Sequence, residues 1–357
     1  MRAKQNLMTA VDLFCGAGGL TRGLLNAGIC VSAGYDIDAA CRYAYERNNA
    51  GASFKLKSIT DLSESELNAI YPKGHTRILV GCAPCQPFSK YTQGVDKLHD
   101  HKWGLLHEFG RLVHQLKPEI ISMENVPEIR RHGVFLSFID TLKSAGYHVS
   151  YQDAYCPDFG VPQQRKRLVL LASLFGPIDL LKPKKMTTLR TVREAIANLP
   201  NLQAGDAHPE DAMHRACRLS PLNLKRIKVS NPGGSWRDWP LELVSKCHQD
   251  VSGQTYPSVY GRMEWDQPSP TITTQFFGYG NGRFGHPEQD RAITLREGAI
   301  LQSFPENYEF IPKGSSVSFA TLGRLIGNAV PVRLGEAIGY SIKQHHLKYI
   351  IRRKLHD

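Results

Sequence analysis

The first half of the chain alternates short apolar runs with longer amphipathic ones. Four of the apolar runs are continuous rather than alternating: 8–14, 77–80, 118–126 and 168–172. Runs of this kind predict strands that are buried in a largely parallel sheet. Residues 105–116 and 134–145 carry apolar side chains at helical spacing, so we expect helices that pack on that sheet. The alternation predicts an open α/β fold.

This alternation of strand-like and helix-like runs ends at about residue 176, and turn-forming Gly and Pro residues are frequent from there to about residue 281. Basic residues cluster in this part, and aromatic residues interleave with them: Lys182, Lys184, Lys185, Arg190, Arg193, Arg215, Arg218, Lys225, Arg226 and Lys228, with Trp236, Trp239, Tyr256 and Tyr260. The composition predicts a small, irregular domain that reads nucleic acid, with a loop-rich accessory domain as the alternative. A final helix is expected from about Arg333 to Leu355.

Composition and charge narrow the class of protein. The 357 residues are 41% hydrophobic and 22% charged, which is ordinary for a globular protein, and a net charge of +11 favours an anionic partner such as nucleic acid. Eight cysteines spread through a chain of this size favour reduced thiols in a cytosol. Neither a signal-peptide core nor an apolar run of membrane-spanning length is apparent. We therefore expect a soluble intracellular protein with no membrane partner.

A CxxC pair, Cys82 and Cys85, follows the predicted strand at 77–80. A structural metal site would need a second pair at zinc-finger spacing, and a thioredoxin-like redox pair would need a helix that starts at the motif. Pro84 and Pro87 instead hold the segment extended or turned. We therefore interpret Cys85 as a lone nucleophile at the exit of a buried strand, and we expect no metal.

Glu124 ends another of the apolar runs. Because the carboxyl ends of parallel strands meet at one edge of a sheet, Cys85 and Glu124 are expected at the same edge. Taken alone, Glu124 would more simply be a solvated loop carboxylate.

A glycine turn at 15–20 follows the first predicted strand and opens a helix. Glycines there let backbone N–H groups and a ligand approach closely. Asp36 follows one strand later, where the ribose hydroxyls of a nucleotide would be bound. Together these features predict a nucleoside cofactor without specifying which.

Two short motifs, Pro84-Cys85-Gln86 and Glu124-Asn125-Val126, resemble the nucleophile motif and the Glu-Asn-Val motif of the DNA cytosine-5 methyltransferases. Segments 12–19, 163–167 and 325–332 resemble further motifs of that family, in the family's order. The resemblance implies an α/β fold: a Rossmann-like S-adenosylmethionine-dependent methyltransferase domain with a smaller, irregular target recognition domain. It points to the bacterial, restriction-modification type.

The resemblance also implies a pocket for S-adenosyl-L-methionine. Phe14 and Ile37 would lie against the adenine, Asp36 would bind the ribose, and the glycine turn would surround the methionine part. Ser58 stands where the family usually has Asp, and it would accept a hydrogen bond from the adenine amino group. The complete implied set is Phe14, Gly16, Ala17, Gly19, Asp36, Ile37, Ser58, Ile59, Pro84, Leu105, Asn328 and Ala329.

The implied chemistry follows from the weak nucleophilicity of cytosine C5. Addition of the Cys85 thiolate at C6 would make the ring electron-rich, and a protonated Glu124 at N3 would neutralise the developing charge. Arg167, the second arginine of the motif Gln163-x-Arg165-x-Arg167, would stabilise O2, and Arg165 is grouped with it as catalytic. The cytosine must be flipped out of the duplex for these groups to reach it.

The resemblance implies contacts to DNA in both halves of the sequence. Residues 90–103 resemble the loop that closes over the extruded base, and Gln86, Ser89, Lys90, Lys97 and Lys102 would meet DNA there. Thr273 would contact a phosphate. Four residues of the second half could read base edges by their chemistry: Arg237, Gln254, Arg262 and Gln275.

The order of motifs implies a discontinuous catalytic and cofactor-binding domain, 1–180 plus 323–357, around a target recognition domain at 181–322. The expected partner is double-stranded DNA, bound by a monomer on the nucleoid in a bacterial cytoplasm, with a cognate restriction endonuclease as a companion. A tRNA cytosine-5 methyltransferase of the same superfamily and a non-catalytic DNA-binding homologue are the alternatives. A nicotinamide oxidoreductase would leave the cysteine and arginine motifs unexplained.

Overall fold

The structure is a computed structural model that describes residues 8–84, 101–183, 188–250, 253 and 255–356, with only the backbone of 101–103 and 352–356. The chain forms two compact units. The first comprises Met1–Tyr155, Lys166–Lys184 and Val330–Asp357, and the second comprises Cys156–Arg165 and Lys185–Ala329. Among the described helices, none is both long enough and apolar enough to span a bilayer.

The first unit is built on one sheet. Its described strands are β1 (Met8–Leu13), β2 (Cys30–Asp36), β3 (Ser53–Leu56), β4 (Thr76–Gly81), β5 (Ile120–Asn125), β6 (His148–Tyr155) and β7 (Lys166–Ser173). They lie in the order β3-β2-β1-β4-β5-β7-β6, and β7 runs antiparallel to both of its neighbours while the other pairs are parallel. The order reverses between β1 and β4, and ligands of open α/β sheets bind beside the carboxyl ends of strands at such a point.

The helices in chain order are α1 (Gly19–Asn26), α2 (Cys41–Asn48), α3 (Glu64–Ile70), α4 (His101–Leu116), α5 (Gly133–Ser144), α6 (Val192–Ile196), α7 (Pro221–Lys228), α8 (Lys246–Gln249), α9 (Leu295–Leu301), α10 (Phe319–Asn328) and α11 (Val332–His356). The helices α4 and α5 agree with the helical spacing of the sequence. Their apolar faces, with Phe109, Leu112, Phe135 and Phe138, are buried in the same core cluster as Leu79 of β4.

The last helix, α11, packs closely against α1. A Cβ atom on Gly23 of α1 would lie 2.4 Å from the backbone nitrogen of Glu336, and one on Gly335 of α11 would lie 3.1 Å from the carbonyl oxygen of Leu20. Only glycine permits two helix backbones to approach this closely. The end of the chain is thereby fixed against the helix that follows the glycine turn.

The boundaries of the second unit differ from those expected from the sequence, because residues 156–165 and 323–329 belong to it. Residues 156–165 belong to the second unit because the side chain of Gln163 bonds to it. This side chain accepts from Ile272 N (2.9 Å) and donates to Gln302 Oε1 (3.0 Å). Residues 323–329 belong to it because their backbone packs closely on residue 273. A Cβ atom on Gly327 would lie 2.4 Å from the carbonyl oxygen of Thr273. Both segments join the second unit through partners more than fifty residues away in sequence.

Two of the tryptophans in the second unit are core residues. Trp236 and Trp239 are 5% and 6% exposed, and they pack with Ile227 and Tyr279. The Trp236 ring also stacks on His248 at a centroid distance of 4.5 Å. Their interleaving with basic residues therefore reflects a small apolar core rather than a platform for bases, whereas Tyr256 is exposed.

Candidate active site

The end of β4 is fixed to both neighbouring strands. Cys82 N donates to the carbonyl of Leu13 at the end of β1 (3.3 Å). The side chain of Asn125, at the end of β5, donates from Nδ2 to the carbonyl of Ala83 (3.1 Å). The segment that leads to Pro84, itself half-buried, is thus held from both sides. Cys85, Gln86, Ser89, Lys90 and Lys97, and the side chain of Lys102, lie outside the described residues.

The carboxyl group of Glu124 lies between a thiol and a guanidinium. Glu124 is 2% exposed, and its Oε2 accepts a hydrogen bond from Cys82 Sγ at 2.8 Å. Arg167 of β7 forms an ion pair in which Nε lies 2.9 Å from Oε1. The antiparallel pairing of β5 and β7 explains this contact, because it pairs Asn125 with Leu168 and so brings Arg167 to the end of β5. Glu124 and Arg167, both singled out from the sequence, are therefore in direct contact.

Arg165 has a different environment from Arg167. It precedes β7, it is 3% exposed, and it donates to the carbonyls of Ile272 (3.0 Å) and Gly327 (3.2 Å) within the second unit. A guanidinium engaged with buried backbone carbonyls favours a structural role over the catalytic role expected from the sequence. Two residues of one short motif thus have different environments.

The glycine turn after β1 has an unusual backbone. Phe14 has φ 60°, and Gly16 and Gly18 have φ 52° and 89°. A non-glycine residue at positive φ is uncommon and is often found at functional sites. A Cβ atom on Gly16 would meet nothing within 4 Å, so space is open beside the turn. Ala17 and Gly19 are buried, and Phe14 is half-buried against the core.

Asp36, at the end of β2, organises this turn. Its Oδ2 accepts from Gly16 N and its Oδ1 from Asp38 N, both at 2.9 Å, and burial raises its pKa. The next residue, Ile37, is 73% exposed, which is high for an apolar side chain beside a half-buried carboxyl group. An acidic group and an exposed apolar surface therefore lie next to the glycine turn.

Ser58 caps a 3-10 turn, Ile59–Asp61, because its Oγ accepts from Thr60 N (3.3 Å) and lies 2.7 Å from Thr60 Oγ1. Ile59 is 3% exposed and its side chain belongs to the core, and its expected place in the cofactor pocket stays a prediction. Leu105 of α4 is half-buried against the same core. Arg111 of α4 donates to the carbonyls of Ile59 (3.2 Å) and Leu62 (3.2 Å) and so holds the turn from outside.

The remaining candidates lie in the second unit. Asn328 is the exposed last residue of α10, Ala329 is buried, and Thr273 is exposed. Among the expected base readers, Arg237 and Gln275 are exposed and Gln254 lies outside the described residues. Arg262 is 5% exposed and donates to the carbonyls of Ile227, Ser230, His286 and Gln289, which makes the base-reading role expected for it wrong.

Sequence reasoning missed three residues of this region: Asp12, Cys82 and Asn125. Asp12 is 1% exposed, it accepts from Thr21 Oγ1 (2.7 Å), and burial raises its pKa to about 7. Its other oxygen, Oδ1, is buried without a hydrogen-bond partner among the described residues. Each of the three lies inside a motif that the sequence had singled out, but its partner could not be read from that motif.

Comparison with known proteins identifies relatives along almost the whole chain. The family described as C-5 cytosine-specific DNA methylase matches residues 8–344. The Type II methylase M.HgiDII of Herpetosiphon aurantiacus is 54% identical over 338 residues, covering 94% of each chain. The Type II methyltransferase M.PspPI of Psychrobacter sp. (strain TA137) is 32% identical over 344 residues, covering 93% of this chain and 78% of the relative.

Solved structures support the fold. A protein described as a prophage-encoded DNA modification methyltransferase (E. coli) has a TM-score of 0.74 at 21% identity, covering 95% of this chain and 99% of the other. The S. pombe Dnmt2 methyltransferase has a TM-score of 0.63 at 17% identity, covering 95% and 98%. The predicted Rossmann-like α/β fold is confirmed. On the family match and the sequence identity together, the chain belongs to the C-5 cytosine-specific DNA methylase family, whose members are S-adenosylmethionine-dependent methyltransferases.

Proposed function

We propose that the protein methylates C5 of a flipped-out cytosine within a specific duplex DNA sequence. The observation that carries this proposal is the Glu124 carboxyl group at the end of β5, held between Arg167 and Cys82, the residue that directly follows β4 and precedes Cys85 in the CxxC pair. A buried carboxyl group with a cation beside it suits a reaction in which charge develops on a ring.

In this proposal the Cys85 thiolate forms a bond to cytosine C6 and pushes electron density into the ring. Glu124 holds a proton at N3, where negative charge would otherwise accumulate, and Arg167 stabilises O2. After C5 has gained its methyl group, a base removes the C5 proton, the C6–sulfur bond breaks, and Cys85 is regenerated as a thiolate. Flipping the base out of the duplex costs roughly a few kcal/mol, which contacts to DNA must offset.

The residues around the glycine turn fit S-adenosyl-L-methionine. The open space beside Gly16, the half-buried carboxyl group of Asp36 and the exposed Ile37 suit a methionine part, a ribose and an adenine in that order. Phe14 and Ser58 would contact the adenine, and Asn328 and Ala329 are assigned to the methionine part on the resemblance alone. The cofactor supplies an electrophilic methyl group. Asp36 would bind the ribose hydroxyls with the lone pairs that the turn does not use.

The second unit would recognise the target sequence, with Arg237, Gln275 and Thr273 as exposed contacts and Gln86, Ser89 and Lys90 meeting the DNA near the flipped base. Because two relatives are named as Type II enzymes, we also infer a modification role beside a restriction endonuclease of the same specificity. The protein would act as a monomer on the DNA of the nucleoid.

Bisulfite sequencing of unmethylated plasmid tests this function directly. The purified protein and S-adenosylmethionine should protect cytosines in one short motif, and Cys85→Ser should protect none while it still binds the DNA. Full protection by Cys85→Ser would refute the covalent mechanism. Absence of protection with the unaltered protein, together with labelled methyl transfer to tRNA, would assign the enzyme to RNA instead. DNA binding without methyl transfer to either would indicate a non-catalytic homologue.

A further inference from the structure

We infer that Cys82 is a positioning residue for Glu124, and that its thiol is the hydrogen-bond donor that fixes the carboxyl group for the reaction. The inference rests on the proposed function, because it presupposes that Glu124 acts on the cytosine ring. The covalent mechanism uses Cys85 and gives no role to Cys82, the first cysteine of the CxxC pair. The inference supplies that role.

The geometry around Glu124 sets the need for such a donor. At 2% exposure, the carboxyl group has little access to water, so its oxygens depend on protein donors. Arg167 lies 2.9 Å from Oε1, and Cys82 Sγ lies 2.8 Å from Oε2. The terminal torsion of a glutamate side chain is broad, so one contact alone leaves the plane of the carboxyl group poorly defined. Two contacts on opposite oxygens define it.

The backbone of Cys82 makes the thiol a fixed donor. Cys82 N is bonded to the carbonyl of Leu13 on β1, and the next residue, Ala83, is bonded through its carbonyl to Asn125 on β5. Both neighbouring strands therefore set the direction of the Cα–Cβ bond. A short side chain on so constrained a backbone has few rotamers to lose, and a group held in this way preorganises its partner well.

Substitutions can test whether Cys82 acts through the hydrogen bond that its thiol donates or through the volume of its side chain. Serine retains a donor at this position, whereas alanine and valine do not. Removal of the donor leaves one oxygen of a buried carboxyl group without its partner, and such a loss commonly changes a rate by roughly tenfold or more. We therefore expect kcat to fall about tenfold in Cys82→Ala and Cys82→Val and to stay within about threefold of the unaltered enzyme in Cys82→Ser.

The experiment is single-turnover methyl transfer from labelled S-adenosylmethionine to unmethylated duplex DNA, with the affinities for both substrates measured separately. The alanine and valine variants should lose rate while both affinities stay unchanged, because Cys82 acts through Glu124 rather than on either substrate. Cys30→Ala, at an exposed thiol at the start of β2, is the matched control and should leave the rate unchanged.

A double-mutant comparison separates positioning from packing. In a Glu124→Ala background, Cys82→Ala should cause no further loss of the residual rate, because the group that it positions is gone. An additional tenfold loss there, or an equal loss in Cys82→Ser and Cys82→Ala, would overturn the inference. Failure of the unaltered enzyme to methylate DNA would refute the proposed function, whereas normal methylation by Cys82→Ala would refute only the role of Cys82.

Discussion

The two units satisfy their buried backbone groups by different means. In the first, the strands of a seven-stranded sheet pair with one another. In the second, the described backbone bridges are isolated, and arginine side chains take over part of the task. All the buried arginines in the described part of the chain belong to the second unit: Arg165, Arg226, Arg262, Arg291 and Arg296. Because a buried carbonyl without a donor is unfavourable, an irregular fold needs such side chains.

Arg262 shows how one side chain can replace part of a sheet. Its Nε lies 2.9 Å from the carbonyl oxygen of Ser230, and its Nη1 donates to the carbonyls of His286 (3.0 Å) and Gln289 (2.7 Å). Nη2 donates to the carbonyl of Ile227 (2.8 Å) and forms an ion pair with Asp290. The planar guanidinium, with its five donors, connects its own segment to two others, 227–230 and 286–290.

This difference changes how the net charge of +11 should be interpreted. Arginines of the second unit that are buried against carbonyls or carboxylates are not available to DNA phosphates. Arg193 is exposed, but it is paired with Asp266 at 2.7 Å. Basic composition therefore overstates the positive charge that this unit could present to DNA, and exposed residues such as Lys225, Lys228 and Arg237 are better candidates for contacts.

The largest effect is expected from Arg262→Ala. The substitution leaves buried carbonyls and the Asp290 carboxylate without their donor, which should destabilise the second unit by about 3–5 kcal/mol. Arg237→Ala, at an exposed arginine, should change the stability by less than about 1 kcal/mol. Denaturant unfolding measures both. A base-reading role for Arg262 would instead require Arg262→Ala to keep full stability and to lose affinity for its DNA site.

A fall in pH should also change the stability of the two units differently. In the second unit, burial lowers the pKa of His286 from 6.5 to about 4, so its contribution to stability is present above pH 6.5 and is lost as the pH falls through 4. Burial opposes ionisation of Glu297, but Arg291 outweighs it and lowers the pKa from 4.5 to about 2, so stability is lost there between pH 4.5 and 2. Each shift corresponds to about 3 kcal/mol.

Asp12, in β1 of the first unit, should respond in the opposite direction. The raised pKa of Asp12, about 7, means that the folded state binds a proton more tightly than the unfolded chain, so this group adds stability as the pH falls from 7 towards 4. Hydrogen exchange near pH 4.5, corrected for intrinsic rates, should therefore show α9 opening before β1. His286→Gln should remove most of this difference. Simultaneous opening of both elements in the unaltered protein would contradict the assignment of these shifts.

The contrast also explains what the sequence could predict. Strand ends, the glycine turn and the positions of Glu124 and Arg167 follow from local patterns, because apolar runs and turn residues act over a few neighbours. The roles of Arg165 and Arg262 could not be predicted, since their acceptors are carbonyls at distant positions such as Gly327 and Ile227. Cys82 is an intermediate case: its motif is local, but its partner Glu124 lies on another strand.

The smallest expected effect concerns Arg111, which does at the surface of the first unit what Arg262 does inside the second. It holds the carbonyls of Ile59 and Leu62, but its side chain is 32% exposed, so water can replace it in Arg111→Ala. Stability should fall by only about 0.5–1.5 kcal/mol. The turn capped by Ser58 would lose its outer support, so KM for S-adenosylmethionine should rise roughly threefold to tenfold. KM for DNA and kcat at saturation should be unchanged.

Arg42→Ala, which removes an exposed pair with Glu46, is the control and should leave all three constants unchanged. An unaltered KM for S-adenosylmethionine in Arg111→Ala would mean that the turn keeps its shape by its own cap, and that the partly exposed Arg111 is dispensable for it in a way that the buried Arg262 is not for its own surroundings.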